Sequence, residues 1–152
     1  MVTEYFEGGA LDRRLGARRR VADGALTRRV AAQLAWAIEH LHLAGIIHRD
    51  IKAANVLLSK DGTASLADFG LASYCDEEQR CARDGRHPPA AQFAGTVEYM
   101  APELFLSATL TYTAAVDWWS LGVLLYEIIA GVTPRDAAAL VGDACAKKYT
   151  QK

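Results

Sequence analysis

The stretch His48-Arg49-Asp50-Ile51-Lys52-Ala53-Ala54-Asn55 constrains the fold most, because it gathers cations, a carboxylate and a carboxamide into one short segment. The sequence around it reads as regular structure. Thr27 is a plausible N-cap for a long helix, with Val30, Leu34, Ile38 and Leu41 on one face at helical spacing. Gly45 ends that helix, since a left-handed residue after a helix is cheap only for glycine. Short apolar runs follow, Ile46-Ile47 and Val56-Leu57-Leu58, with Lys60-Asp61-Gly62 as a hairpin turn into Ala64-Ser65-Leu66. The polar octet therefore lies between a helix end and a pair of strands.

The rest of the chain divides less evenly. Residues 2–6 read as the end of a strand closed by Gly8-Gly9, residues 11–20 as a short basic helix, and residues 21–24 as a turn. From Ser73 to Phe93 no periodicity is present, and Pro88-Pro89 excludes regular structure. Long structureless stretches in compact domains are usually functional or disordered. A helix over residues 114–130, ended by Gly131 and Pro134, is apolar nearly all round and is expected to be buried.

With 152 residues, 51% of them hydrophobic and 23% charged, the chain has one domain's worth of sequence, or a piece of a larger domain, and can bury a core. A net charge of -1 gives no argument for a nucleic-acid or membrane partner. The early arginines, from Arg13 to Arg29, read as a solvated helix face, with a basic docking patch as the alternative. Three cysteines make an odd count without framework spacing, and Cys75, Cys81 and His87 are too few for a zinc site. No signal peptide or 18-residue apolar run is expected, which places the chain in an intracellular, reducing, cytoplasmic setting.

Downstream of the octet come Asp68-Phe69-Gly70 and then Ala101-Pro102-Glu103. Each match alone is weak; in this order and at these separations they are strong together. On these residues the chain resembles the eukaryotic protein kinases of serine/threonine type. The resemblance implies a protein kinase-like α+β fold, of which this chain carries the C-terminal lobe, mainly helical with a few short strands and without the N-terminal lobe. A hinge would occupy residues 1–10, the C-terminal lobe 11–135, and a tail without assignment 136–152.

The implied activity is transfer of the γ-phosphoryl of ATP, with Mg2+, to serine or threonine hydroxyls of protein substrates. Asp50 would orient the hydroxyl and accept its proton, and Lys52 would put positive charge on the transferring group. Asn55 and Asp68 would hold the magnesium ion, which prefers hard oxygen ligands. Thr96, within Gly95-Thr96-Val97-Glu98-Tyr99-Met100, would hydrogen-bond near Asp50 and Lys52. Phe69 and His48 would pack together. Asp117 would open a buried helix and receive backbone N–H groups of the octet, a role compatible with plain helix capping. Leu124 and Ile128 would support the adenine pocket. In the hinge-like stretch Thr3-Glu4-Tyr5-Phe6-Glu7-Gly8-Gly9, Thr3 would stand at the gatekeeper position. The backbones of Glu4 and Phe6 would meet the purine edge, and Leu57 would floor the base. Asp12 reads equally as a ribose contact or a helix cap. Lys52 fits serine/threonine rather than tyrosine acceptors, and Leu71 leans toward serine.

Departures from the family pattern carry expectations of their own. No glycine-rich loop, strand lysine or helix glutamate stands before the hinge-like stretch, so the chain alone is expected to lose several powers of ten in rate. The alternative is a non-catalytic truncated lobe that binds a kinase partner or scaffold. Glu103 would be a buried carboxylate whose family partner is an arginine on a later helix. Between Tyr74 and Thr96 there is no serine, threonine or tyrosine, and Gln92 stands where the S6-kinase-like group carries its phosphothreonine. The segment is thus expected not to be switched by phosphorylation. Asp76, Glu77 and Glu78 either answer Arg49 with fixed charge or form a solvated acidic loop.

Overall fold

A computed structural model describes residues 5–15, 24–74, 95–106 and 113–139. Thr3, Glu4, Cys75, Asp76, Glu77, Glu78, Cys81, His87, Gln92 and the tail beyond residue 139 lie outside the described residues, as do residues 16–20 of the expected basic helix.

Strand β1 (Gly9–Ala10) leads into helix α1 (Leu11–Leu15), which buries Leu11 and Leu15. Tyr5 and Phe6, expected to end a strand, precede it without pairing in a sheet. Helix α2 (Gly24–Leu43) buries Val30, Leu34 and Ile38 on the expected face, while Leu41 is half-buried. It begins before Thr27, which lies inside the helix and does not cap it. Leu26, one turn before Val30, packs against the same core, and that contact favours the extra N-terminal residues. Gly45 takes φ 74° at the far end, as a helix-terminating glycine does.

Strand β2 (Ile46–Ile47) follows, then the octet loop, then β3 (Val56–Leu58) and β4 (Ala64–Leu66). β3 and β4 form the expected antiparallel hairpin, with Gly62 at φ 81° in its turn. Two pairings were not legible in the sequence. β1 adds to the outer edge of β3, with Gly9 opposite Leu58 and Ala10 opposite Leu57. Strand β5 (Ser73–Tyr74) pairs antiparallel with β2. The first pairing depends on Gly8, where a Cβ would sit 2.5 Å from the Leu58 carbonyl oxygen.

Helix α3 (Glu103–Leu106) precedes helix α4 (Ala115–Ala130), which Gly131 ends at φ 84°. Glu103 is half-buried rather than buried, so its carboxylate keeps some access to water. Val116, Leu121, Val123, Leu124 and Ile128 of α4 are buried, several in the main core with α2 and β3. Each fully buried aliphatic side chain contributes about 1.5–3 kcal/mol. The opposite face corrects the expectation of an all-round buried helix. Trp118, Trp119, Tyr126 and Ile129 are 42–61% exposed, on the side of α4 away from the buried Val116, Leu124 and Ile128. Pro134 also differs from its expected role. It opens a further helical stretch, residues 134–139, in which the Thr133 hydroxyl accepts the Asp136 N–H at 3.2 Å.

Candidate active site

The octet is a loop whose backbone is fastened from beneath. Asp117, in the first turn of α4, is fully buried. Its Oδ2 accepts the His48 N–H at 2.9 Å and its Oδ1 accepts the Arg49 N–H at 2.8 Å. His42, near the end of α2, brings Nε2 to 2.8 Å from the same Oδ2 and sets its ring edge-on to Trp118. A buried carboxylate needs such partners, and here they come from the loop it holds in place. His48 is itself buried, packs on Phe69 at 4.9 Å between ring centres, and makes a 3.1 Å hydrogen bond with the Ala67 carbonyl. The expected His48–Phe69 contact is therefore present.

Asp50 sits at the centre of the polar network. Its Oδ2 receives Lys52 Nζ at 2.8 Å and Asn55 Nδ2 at 2.9 Å. Its Oδ1 receives the Thr96 N–H at 3.1 Å and the Thr96 hydroxyl at 2.9 Å. Lys52 Nζ also donates to Thr96 Oγ1 at 2.8 Å, which closes the ring. Burial opposes ionisation of Asp50, but the hydrogen bonds and charge of Lys52, with the bonds from Thr96 and Asn55, outweigh it. Its carboxyl is held below the ordinary value. Asp50 is thus an anion at neutral pH, aimed by its partners. Four residues expected from sequence to act together, Asp50, Lys52, Asn55 and Thr96, are joined directly.

The hairpin brings Asp68 to the same place. The Ala67 N–H donates to the Asn55 carbonyl at 2.9 Å, continuing the β3–β4 ladder, and Asp68 is the next residue. Asp68 takes a left-handed φ of 64°, and its Oδ1 accepts the Gly70 N–H at 3.2 Å. Such a conformation costs about 1–3 kcal/mol in a non-glycine residue and is commonest at functional sites. Asn55 donates through Nδ2 to both the backbone and the side-chain oxygen of Asp50, so its Oδ1 faces away from them. One carboxylate and one neutral oxygen fit Mg2+, which uses few protein ligands and fills its octahedron with phosphate and water oxygens. Among the described residues no cluster of three His, Cys, Asp or Glu side chains could hold a metal unaided.

Thr96 is placed from α4. The turn Val97–Tyr99 follows it, Ser120 Oγ lies 2.9 Å from the Tyr99 carbonyl, and the Tyr99 hydroxyl donates to the buried Glu127 carboxylate. Gly95 takes φ 118°, and a Cβ there would lie 2.6 Å from the Arg49 carbonyl oxygen. His42, Ser120 and Glu127 were missed by sequence reasoning. Nothing local marks them, since each acts on a partner at least 21 residues away.

The hinge-like residues are less gathered. The register places Ala10 opposite Leu57, so β1 itself runs beside the proposed floor, while Gly8 before it lies against Leu58 and Ser59. The Phe6 carbonyl accepts the Gly9 N–H at 3.0 Å in a turn. Asp12 is exposed on α1, and its Oδ1 accepts the N–H of Arg13 at 2.7 Å, a local bond rather than one toward the Asp50 network. A groove of about 520 Å³ between α2 and β4, lined by Trp36, His40, Leu66 and Phe69 among others, includes none of Asp50, Asn55 or Asp68.

Comparison with known proteins agrees with this geometry. The chain is 40% identical over 136 residues to the human ribosomal protein S6 kinase alpha-4. It is 39% identical over 134 residues to the cAMP-dependent protein kinase type 3 of Saccharomyces cerevisiae, and 41% over 134 residues to the serine/threonine-protein kinase SCH9 of the same yeast. Each match covers 88% of this chain but only 16%, 30% and 15% of those relatives respectively. The family model described as the protein kinase domain matches residues 1–147, a span that takes in the octet, the Asp68 turn, Thr96 and α4. An ordered set of short motifs, the network they build around Asp50, and a match over nearly the whole chain converge: it belongs to the protein kinase domain family.

Proposed function

We propose that the chain carries the phosphoryl-transfer site of a serine/threonine protein kinase and corresponds to the C-terminal lobe of that domain, with the hinge at residues 1–10. The observation that supports this most is the network on Asp50. A partly desolvated carboxylate, kept ionised by Lys52 and Thr96, is hydrogen-bonded by Asn55, whose backbone carbonyl accepts the N–H of the residue before Asp68. Bound Mg-ATP would supply the phosphoryl group and the ion that neutralises its charge.

Asp50 orients a serine or threonine hydroxyl and takes its proton on a carboxylate oxygen. Its low pKa makes it a weak base toward the free alcohol, so its main contribution is alignment, with the proton accepted as the hydroxyl becomes more acidic during transfer. Lys52 holds positive charge beside the reacting oxygens, and Thr96 fixes both Asp50 and Lys52. Asn55 and Asp68 would hold the metal through one neutral and one charged oxygen. Phe6, Leu57, Thr3 and Glu4 are assigned to the purine on family resemblance, and Asp12 either to the ribose or to the start of α1, where its Oδ1 accepts the Arg13 N–H.

The test is thermal protection of the natural polypeptide carrying this sequence by ATP with and without Mg2+. Ligand at a hundredfold excess over its Kd stabilises by about 2.7 kcal/mol. Mg-dependent protection that vanishes in Asp68→Ala is expected. Absence of protection would overturn the nucleotide site and favour a non-catalytic interaction module.

A further inference from the structure

Helix α4 holds the loop of Asp50 through Asp117, and one turn further on the same face it carries a second polar group, the Ser120 hydroxyl. Ser120 is buried, and its Oγ lies 2.9 Å from the Tyr99 carbonyl and 3.0 Å from the Val116 carbonyl. A hydroxyl has a single proton, so a full bond to one carbonyl is made at the expense of the other. The two choices have different consequences. A bond to Val116, four residues back, is the local one that serine makes inside helices, where the carbonyl already faces a helical N–H. A bond to Tyr99 joins α4 to a segment 21 positions away.

That segment leads straight to Asp50. The Tyr99 N–H donates to the Thr96 carbonyl at 2.9 Å, and the Thr96 N–H and hydroxyl donate to Asp50 Oδ1 at 3.1 and 2.9 Å. Val97 and Glu98 between them are exposed, so packing of their side chains does not fix the turn. Glu127 holds Tyr99 by the far end of its ring, whereas Ser120 holds its backbone, the part that sets where Thr96 points.

We propose that Ser120 is a positioning residue for transfer: its hydroxyl donates to the Tyr99 carbonyl and, through the turn Val97–Tyr99, keeps Thr96 on Asp50. The proposal rests on the kinase reading of the Asp50 site, but half of its test does not depend on activity. Amide hydrogen exchange, and steady-state transfer from Mg-ATP to a serine peptide, are compared in the natural polypeptide carrying this sequence and in its Ser120→Ala, Ser120→Thr and Ser120→Cys variants.

In Ser120→Ala, exchange at Thr96, Tyr99 and Met100 is expected to rise about fivefold or more, with α2 unchanged. The kcat is expected to fall about tenfold, the loss of one ordinary hydrogen bond expressed as a rate. The KM for Mg-ATP is expected to stay the same, since no hydrogen bond among the described residues joins the turn to Asn55 or Asp68. Ser120→Thr keeps the hydroxyl and is expected to restore both exchange and kcat. Its extra methyl enters a filled site, so Ser120→Cys, close to serine in size and a weaker donor, is the second check and is expected to fall between wild type and Ala.

Wild-type exchange and kcat in Ser120→Ala would overturn the proposal and assign the proton to Val116; the helix would then lose nothing, since alanine is the better helix former. Equal losses in all three variants would overturn it too, because they would follow from packing and not from the hydroxyl. Absence of transfer in the wild type, with faster exchange at residues 96–100 in Ser120→Ala, would count against the kinase reading and support the anchor.

Discussion

Replacing Asp117 should damage the protein through the loop it holds. In Asp117→Ala, the backbone N–H groups of His48 and Arg49 lose their acceptors, and His42 Nε2 loses its 2.8 Å partner. An orphaned buried donor costs about 1–3 kcal/mol, so the pair of N–H groups accounts for about 2–6 kcal/mol. A loss of about 4 kcal/mol is expected, a large part of the 5–15 kcal/mol of a typical domain. Asp117→Asn keeps the shape but offers one acceptor oxygen in place of two, so one N–H stays orphaned and about 2 kcal/mol is lost. Chemical denaturation of wild type and both variants, with the slope checked for two-state behaviour, measures these values. The reasoning would be refuted if Asp117→Ala fell within 1 kcal/mol of wild type, or if the Asn variant lost as much as the Ala variant.

Other outcomes follow from the same network. Thr96→Val removes the hydroxyl that bridges Asp50 and Lys52 while keeping the backbone bond; a hydrogen bond to a charged group contributes about 1.5–3 kcal/mol, so steady-state kinetics should show transfer about 10–100-fold slower. The pKa of Asp50 is lower folded than unfolded, so the folded state binds fewer protons there. The stability this residue contributes is therefore fully present above about pH 4 and lost as pH falls through the depressed folded value. Urea midpoints of wild type and Asp50→Asn should differ by a constant amount from about pH 5 to 8 and converge in stronger acid. Gly95→Ala places a methyl against the Arg49 carbonyl at a backbone angle unfavourable to L-residues, and denaturation should show a loss of about 1–3 kcal/mol.

Much of the polar network of the candidate site was legible in the sequence because its residues lie close together along the chain. Asp50, Lys52 and Asn55 share one loop, and the Lys60-Asp61-Gly62 turn sets a register that carries Asp68 to Asn55. Val30, Leu34 and Ile38 were readable because helical periodicity is a local signal. What stayed hidden is long-range or too short for a period. β1 and β5 have two residues each, which leaves no alternation to detect. His42 reaches Asp117 across 75 positions, and Glu127 reaches Tyr99 across 28. For α4, composition gave the wrong burial because hydrophobicity says what a helix can cover, not which neighbours reach each face; Trp118, Trp119, Tyr126 and Ile129 show the difference.

The central claim is that Asp50 serves phosphoryl transfer. The most direct measurement is the rate at which the natural polypeptide carrying this sequence moves labelled γ-phosphoryl from Mg-ATP to a serine peptide, in wild type and in Asp50→Asn. Proton-transfer groups contribute about 10²–10⁴-fold, and alignment of the hydroxyl is lost with them. Mg-dependent transfer that falls at least a hundredfold in Asp50→Asn is the predicted result. Transfer that stays within tenfold of wild type without this carboxylate would contradict the account.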